Sequence, residues 1–313
     1  MYLLKRATIL LASVLLFQLA ALHSGAQDKP KRPRITGIDH VRLYVSNLDK
    51  SREFYSKLIG VRWKGGMCVD DSRACFTVGW EKGQTIELEK APASGTRNWV
   101  AEIAFATDNV EQMRGYLVAH GVTASEVSKH VCDKHVLDAH FEVRDPEGTP
   151  ISFVQRFSIT IDDPPPGAPV DLRMLHAGFV VKDTAAENRF YLDLLGFKLY
   201  WYGGFKDDGL DWYEIQVPDG DNWIEYMLNI PVNANHKELG VQNHFSLGVK
   251  DIHVAADRLH KNGLLKFDGP EIGRDGKWGL DAYDPDGTRV EVMEFTPAKT
   301  PCCHAYTAPH PTP

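Results

Sequence analysis

The 313-residue chain is 43% hydrophobic and 25% charged, with a formal net charge of −7. That balance suits a globular protein with a substantial core, long enough for about two domains of the usual roughly 100–200 residues. A moderately acidic chain carries no electrostatic footprint for nucleic acid, which excludes that class of partner from the expectations.

Residues 1–26 begin with Lys5 and Arg6, continue through an apolar run from Ala7 to Leu22 and end on Ser24-Gly25-Ala26. This is the pattern of a secretory signal peptide cleaved near Ala26. The apolar run falls short of the roughly 18–20 residues of a membrane span. The expectation is a periplasmic or secreted protein without stable membrane anchoring. Cleavage removes two cations and no acid, which takes the net charge from −7 to −9. The five cysteines are Cys68, Cys75, Cys132, Cys302 and Cys303. In an exported chain they permit a Cys68–Cys75 bridge, and the odd count leaves at least one thiol over. No Cys-x-x-Cys pair supports a cysteine-rich zinc site.

From Ile35 onward the chain repeats itself. His40 opens an alternating run with Val41, Leu43 and Val45, then a helical segment carries Phe54-Tyr55 and stops at Leu58-Ile59-Gly60. His176 opens a matching run with Phe179 and Val181, followed by Phe190-Tyr191 and Leu194-Leu195-Gly196. The offset is 136 residues throughout. Each half repeats again inside. Glu102 to Phe105 alternates like a strand and precedes a helix ending near Gly121, as His244 to Val249 precedes one ending at Gly263. Those glycines suit helix C-termini, where a left-handed residue is needed. Val110, Met113 and Leu117 give the first helix its apolar face, and Val254, Arg258 and Leu259 mark the second. Tyr213–Val217 and Trp223–Leu228 read as strands around the turn Pro218-Asp219-Gly220-Asp221.

Asp145-Pro146-Glu147-Gly148 recurs as Asp284-Pro285-Asp286-Gly287, in each case a turn before a final strand. The strand after the second turn alternates Val290, Val292 and Glu294 against Arg289, Glu291 and Met293. If the valines pack under a helix, Glu291 faces inward, which is costly for a carboxylate without a partner. His130, His135 and His140, with Cys132 and Asp133, read as a loop or pH-sensitive surface. The stretch 158–172 reads as a proline-stiffened linker. Residues 298–313, with four prolines and Cys302-Cys303-His304, read as a disordered tail.

With the His-bearing strands, the Phe-Tyr…Leu-x-Gly helices and the Asp-Pro-x-Gly turns in place, the chain resembles the vicinal oxygen chelate superfamily. This is the glyoxalase, bleomycin-resistance and extradiol dioxygenase superfamily. The resemblance implies an α+β fold of two tandem domains, 35–157 and 173–297. Each would be built of paired β-α-β-β-β units that form a half-closed mixed sheet around a cavity. It also implies metal ligands from the first, fourth, fifth and eighth strands of a domain. The second domain then carries a full set: His176, Glu225, His244 and Glu291. The first has His40 and Glu87, with Glu102 and Ser152 at the remaining positions, and reads as a degenerate copy. Arg42 shares the inward face with His40 and is expected to pair with Glu87 or Glu102. In this family a site can also be shared between domains, which would join His40 and Glu87 to His244 and Glu291. The linker favours the local arrangement.

Two imidazoles and two carboxylates suit zinc, nickel, cobalt, manganese or iron(II). Gly178, Ser246 and Gly248 share the inward face and are expected to leave room for a ligand. Among the aromatic residues Trp201, Tyr202, Trp212, Tyr213, Trp223 and Trp278, one or two are expected to wall a substrate site. The implied activity is that of a glyoxalase-like or epimerase-like lyase or isomerase on a small oxygen-chelating substrate, with Glu225 or Glu291 as base. An extradiol dioxygenase is the second reading, although Asp281 stands where its signature tyrosine is expected and no histidine lies between Gly263 and Glu291. A metal-free small-molecule binding protein of the resistance type is the third.

Overall fold

The computed structural model describes residues 30–63, 73–79, 83–94, 96, 98–132, 135–157 and 173–313. The signal segment, the linker and Cys68 lie outside the described residues. The unit Arg32–Pro313 contains two mixed eight-stranded sheets, each contiguous in sequence.

The first sheet holds β1 (Ile35–Val45), β2 (Arg62–Trp63), β3 (Arg73–Val78), β4 (Gln84–Lys90), β5 (Val100–Thr107), β6 (Ser128–Cys132), β7 (His135–Arg144) and β8 (Pro150–Arg156). Its spatial order is β2-β3-β4-β1-β5-β8-β7-β6. The second holds β9 (Arg173–Val180), β10 (Lys198–Gly203), β11 (Trp212–Gln216), β12 (Trp223–Met227), β13 (His244–Val249), β14 (Asp268–Ile272), β15 (Trp278–Tyr283) and β16 (Arg289–Glu294). Its order, β10-β11-β12-β9-β13-β16-β15-β14, is the same pattern. In both sheets the first and fifth strands run antiparallel at the centre, each flanked by a parallel partner. The four central strands of each sheet are therefore those expected to carry ligands. Both halves of each candidate site lie within one sheet, so the arrangement is local.

Helix α1 (Leu48–Glu53) is capped by the Asn47 side chain and widens into a π-helical turn over Phe54–Ile59. Its counterpart α3 (Thr184–Asn188, then Arg189–Leu194) is capped by Asp183. The widening brings Tyr55 and Tyr191 inward, and both are fully buried. Each then crosses to the other half. Tyr55 donates to Asp284 (3.2 Å) beside Phe245, and Tyr191 donates to Asp145 (3.3 Å) beside Phe105. The Phe-Tyr helix of one half thus locks onto the Asp-Pro turn of the other. A second reciprocal pair ties β1 to β9. Gln84 bonds Ile38 and Met174 backbone groups, and Asn222 does the same from the opposite half.

Helices α2 (Val110–Ala119), α4 (His236–Gln242) and α5 (Ile252–Lys261) complete the fold. On α5 the buried face is Ile252, Ala255, Ala256 and Leu259, while Val254 is 60% exposed. Val254, expected on the apolar face, instead lies off the stripe that Ile252 begins. The histidine-rich stretch is a β6–β7 hairpin rather than a loop. There His130 and His140 flank Asp138 at 3.2 and 3.1 Å.

The tail is not disordered. Its backbone bonds Tyr200 from Thr307 (2.9 Å), and His304 accepts from the Trp201 indole (2.9 Å). Tyr306 packs against Tyr200 with tilted rings 4.7 Å apart and donates to Asp275. Cys302 and Cys303 form a disulfide next to Arg274. The prolines that suggested disorder keep the strap extended, and its aromatic groups supply the burial that composition alone did not reveal.

Candidate functional site

The strand registers set the site out in two rows across the second sheet. One row reads Glu225, Gly178, His244 on β12, β9 and β13. The next reads Trp223, His176, Ser246, Glu291 on β12, β9, β13 and β16. In each row a small residue separates two ligand-type side chains, which lean across it to meet. His176 Nε2 lies 3.0 Å from His244 Nε2 and 3.1 Å from Glu291 Oε2. His244 Nε2 lies 3.2 Å from Glu225 Oε2 and 3.6 Å from Glu291 Oε2. His176, Glu225 and His244 bring possible metal-binding atoms within 4.8 Å of one another, and Glu291 closes the group from β16.

The small residues do not leave room for a ligand as expected. A methyl group on Gly178 would stand 2.1 Å from the His244 ring, and one on Gly248 would stand 2.7 Å from Phe295. Gly178 makes room for a ligating side chain, and Gly248 for the core.

His244 is fully buried at the start of β13, where α4 delivers it. The α4 helix is fixed by a capping box at Asn235 and by Asn243, which accepts from the Val180 amide. His244 Nδ1 donates to the Gln242 carbonyl (3.0 Å), which leaves the Nε2 lone pair facing the group. His176 packs on Trp223 at 4.8 Å. Burial is the largest influence on every member of the group. It pulls His176 below the ordinary imidazole range despite the two glutamates. For His244, acceptance of its ring N–H by the Glu225 and Glu291 carboxylates outweighs burial and Arg289, and its affinity for a proton rises. The histidines in turn hold Glu225 and Glu291 below the carboxylate range against burial, Glu291 far below it.

The corresponding rows of the first sheet read Glu87, Arg42, Glu102 and Thr85, His40, Ala104, Ser152. Arg42 stands where Gly178 stands, and its guanidinium bonds Glu87 (3.0 Å) and Glu102. His40 Nε2 stays 3.9 Å from either glutamate. Glu87, Asp39 and Glu102 overcome burial and raise His40 to about 10, so it is an imidazolium. Glu102 is held down to about 2. Two cations balance two carboxylates there.

A cavity of about 370 Å³ opens onto the second group. Trp201, Phe205 and Trp212 form an aromatic wall, with Phe205 76% exposed. Of the aromatic candidates, Trp201 and Trp212 take the wall position, and Trp223 backs His176. Among the further polar residues that line the cavity are Glu214, Lys277, Asp281 and Arg289. Burial pushes Glu214 far above the carboxylate range, and Lys277 sits 4.6 Å from the Trp223 ring. Burial raises Asp281 to about 6 against the pull of Arg289. Strand alternation gives Arg289 and Asp281 the inward face of Glu291. Glu214 follows from its pairing opposite Glu225 in the β11–β12 hairpin. Lys277, just before β15, had no such signal.

Residues 37–153 and 173–292 match the family profile described as "Glyoxalase/Bleomycin resistance protein/Dioxygenase superfamily". No curated protein matches the chain. Among solved structures it is similar to homoprotocatechuate 2,3-dioxygenase from Brevibacterium fuscum in complex with 3,4-dihydroxyphenylacetate. The identity is 19% and the TM-score 0.61, over 84% of this chain and 82% of that one. The enzyme of the same name from Arthrobacter globiformis gives 19% and 0.61, over 84% and 80%. An extradiol ring-cleaving dioxygenase from B. fuscum gives 21% and 0.61, over 84% and 73%. At these identities the likeness is one of fold.

Proposed function

The chain belongs to the glyoxalase/bleomycin resistance protein/dioxygenase superfamily, and from that premise we propose that it is a metal-dependent lyase or isomerase. Its substrate would be a small molecule with adjacent oxygens. His176, Glu225, His244 and Glu291 would hold one divalent ion: zinc, nickel, cobalt, manganese or iron(II). The observation that carries this reading is the charge balance of the second sheet. Glu225 and Glu291 converge on two imidazoles, while Arg289 is answered by Asp281. Two negative charges are left for a divalent cation, whereas the first sheet supplies its own two cations.

A bound ion supplies a Lewis acid to adjacent substrate oxygens. The chain supplies the proton acceptor. Glu291 is the more open carboxylate, with 19% side-chain exposure against 10% for Glu225, and both line the cavity. Glu291 therefore takes a proton from carbon next to a carbonyl and returns it to the neighbouring carbon or to the opposite face. Trp201, Phe205 and Trp212 hold the apolar body of the substrate and keep water from that carbon. Extradiol ring cleavage is the second reading, favoured by the structural neighbours. It calls for two histidines and one carboxylate, which leaves Glu225 without a role. The signal-like residues 1–26 support export to the periplasm or medium, and a mature protein that begins near Gln27 is the expected product.

Metal analysis of the purified protein tests the reading. One ion per chain is expected, lost in His244→Ala and Glu291→Ala and kept in His40→Ala. Metal-free protein that still binds aromatic or dicarbonyl compounds would favour a resistance-type binder instead.

A further inference from the structure

Arg289 is a buried guanidinium with too few acceptors. Its side chain is 15% exposed and lines the cavity beside Glu291. Five N–H groups need partners. Nη2 donates to the His244 ring, 2.8 Å from Nε2 and 3.0 Å from Nδ1. Nη1 reaches Asp281 only at 3.5 Å, and Nε has no hydrogen-bond partner among the described residues. Other arginines in the protein are gripped differently. Arg156 holds Asp39 through two nitrogens at 2.6 and 2.7 Å, and Arg42 holds Glu87 through two at 3.0 Å. Arg173 likewise takes both oxygens of Asp221.

The nearest acceptor of Arg289 is also committed elsewhere. His244 Nδ1 donates to the Gln242 carbonyl, so the ring has one lone pair, on Nε2. When a metal takes that pair, Nη2 has no acceptor left. A buried, unfilled guanidinium beside a group that would gather substrate oxygens is a receptor for an anionic oxygen.

We propose that Arg289 is a substrate-binding residue, whose open donors hold an anionic oxygen of a carboxylate, enolate or enediolate substrate engaged at the His176–Glu225–His244–Glu291 group. This rests on the metal reading above. Asp281, opposite Glu291 on β15, keeps the guanidinium in the cavity through one long contact and leaves its remaining donors for the ligand.

The test uses the full mature chain loaded with cobalt(II), whose visible absorption reports on ligands at the ion. Oxalate is the anionic probe and imidazole the neutral one. A charge-assisted hydrogen bond is worth roughly 10–100-fold in affinity. Arg289→Gln is expected to weaken oxalate by at least about tenfold and imidazole by less than about twofold, with cobalt affinity held within about threefold. Arg289→Lys, which keeps the charge, recovers part of the oxalate loss. Unchanged oxalate binding in Arg289→Gln overturns the proposal. A parallel loss of oxalate, imidazole and cobalt also overturns it, because Arg289 would then only support His244. Failure of the unmodified protein to take up cobalt shows separately, before any probe is added, and sinks the metal reading and this inference together.

Discussion

Gly178→Ala isolates the geometry of the ligand group from its chemistry. Gly178 lies between Glu225 and His244 in one cross-strand row, and all four ligand-type side chains remain in the variant. The added methyl would stand 2.1 Å from His244 Cε1 and 2.4 Å from Nδ1, against an ordinary contact of 3.4 Å or more, so the ring must move by about 1.3 Å. Gly178 has no left-handed backbone angle, so alanine fits the strand and the fold survives. The shift separates Nε2 from Glu225 and weakens the bond from Nδ1 to the Gln242 carbonyl. Losing an orienting contact of this kind typically lowers metal affinity by roughly 10–100-fold, or about 1.4–2.8 kcal/mol. Calorimetric titration of metal-free protein with zinc measures the change, and circular dichroism checks the fold. Gly248→Ala is the control, since its methyl meets Phe295 and no ligand. It is expected to cost stability and leave zinc affinity unchanged. Unaltered zinc affinity in folded Gly178→Ala would refute the idea that close approach across a small residue builds the site.

Glu187 is fully buried, and one oxygen accepts from the Glu147 amide at 2.8 Å. Burial, with Asp145 nearby, raises it from the ordinary 4.5 to about 8. The folded state therefore keeps a proton that the unfolded chain has released, and stability falls as pH rises between those values. Glu187→Gln keeps the acceptor and should flatten that decline, with a gain of roughly 2–4 kcal/mol above pH 8 in denaturant titrations. An unchanged pH slope would count against a protonated Glu187. Tyr55→Phe and Tyr191→Phe remove matching bonds between the halves, and each should cost about 1 kcal/mol. Urea unfolding that shows a large cost for one and none for the other would break the equivalence of the two contacts.

Strand period and the 136-residue offset make the repeat and the inward face of Glu291 legible in the sequence, while the eight candidate ligand positions come from the family resemblance. The offset of 136 that aligns His40 with His176 also aligns Arg42 with Gly178. In the proposed reading that pair separates the two sheets, yet its meaning depends on register. Only when Gly178 stands between Glu225 and His244 does its missing side chain become a structural requirement. The order of the tail is hidden from the sequence for a related reason. Its prolines signal extension, and extended chain is disordered only when nothing receives it. Here Tyr200 and Trp201 receive it, and both belong to a strand that composition marked simply as aromatic. The crossing of Tyr55 to Asp284 joins two motifs visible in the sequence, but their pairing across the halves is a fact of packing.

If the difference between the sheets lies in these rows, the first sheet is open to conversion. Arg42→Gly empties the central position, Glu102→His supplies the second imidazole, and Ser152→Glu supplies the carboxylate from β8. Ala104 already gives a small residue between His40 and position 152. His40 is oriented for the task, since Asp39 holds its Nδ1 at 2.8 Å and Arg156 fixes Asp39, so Nε2 points toward Glu87. A carboxylate behind an imidazole also makes it a better ligand. What keeps His40 protonated is mainly Glu87, Asp39 and Glu102 acting against burial. The conversion removes Glu102, and a divalent ion replaces the two positive charges of Arg42 and the imidazolium. The triple variant is therefore expected to bind two ions per chain, against the one expected of the unmodified protein. The single change Arg42→Gly should add none, because it leaves one imidazolium between Glu87 and Glu102 and no second imidazole. A folded triple variant that still binds one ion would show that row composition is not enough, and that a delivering element like α4, which brings His244 to its place, is also required.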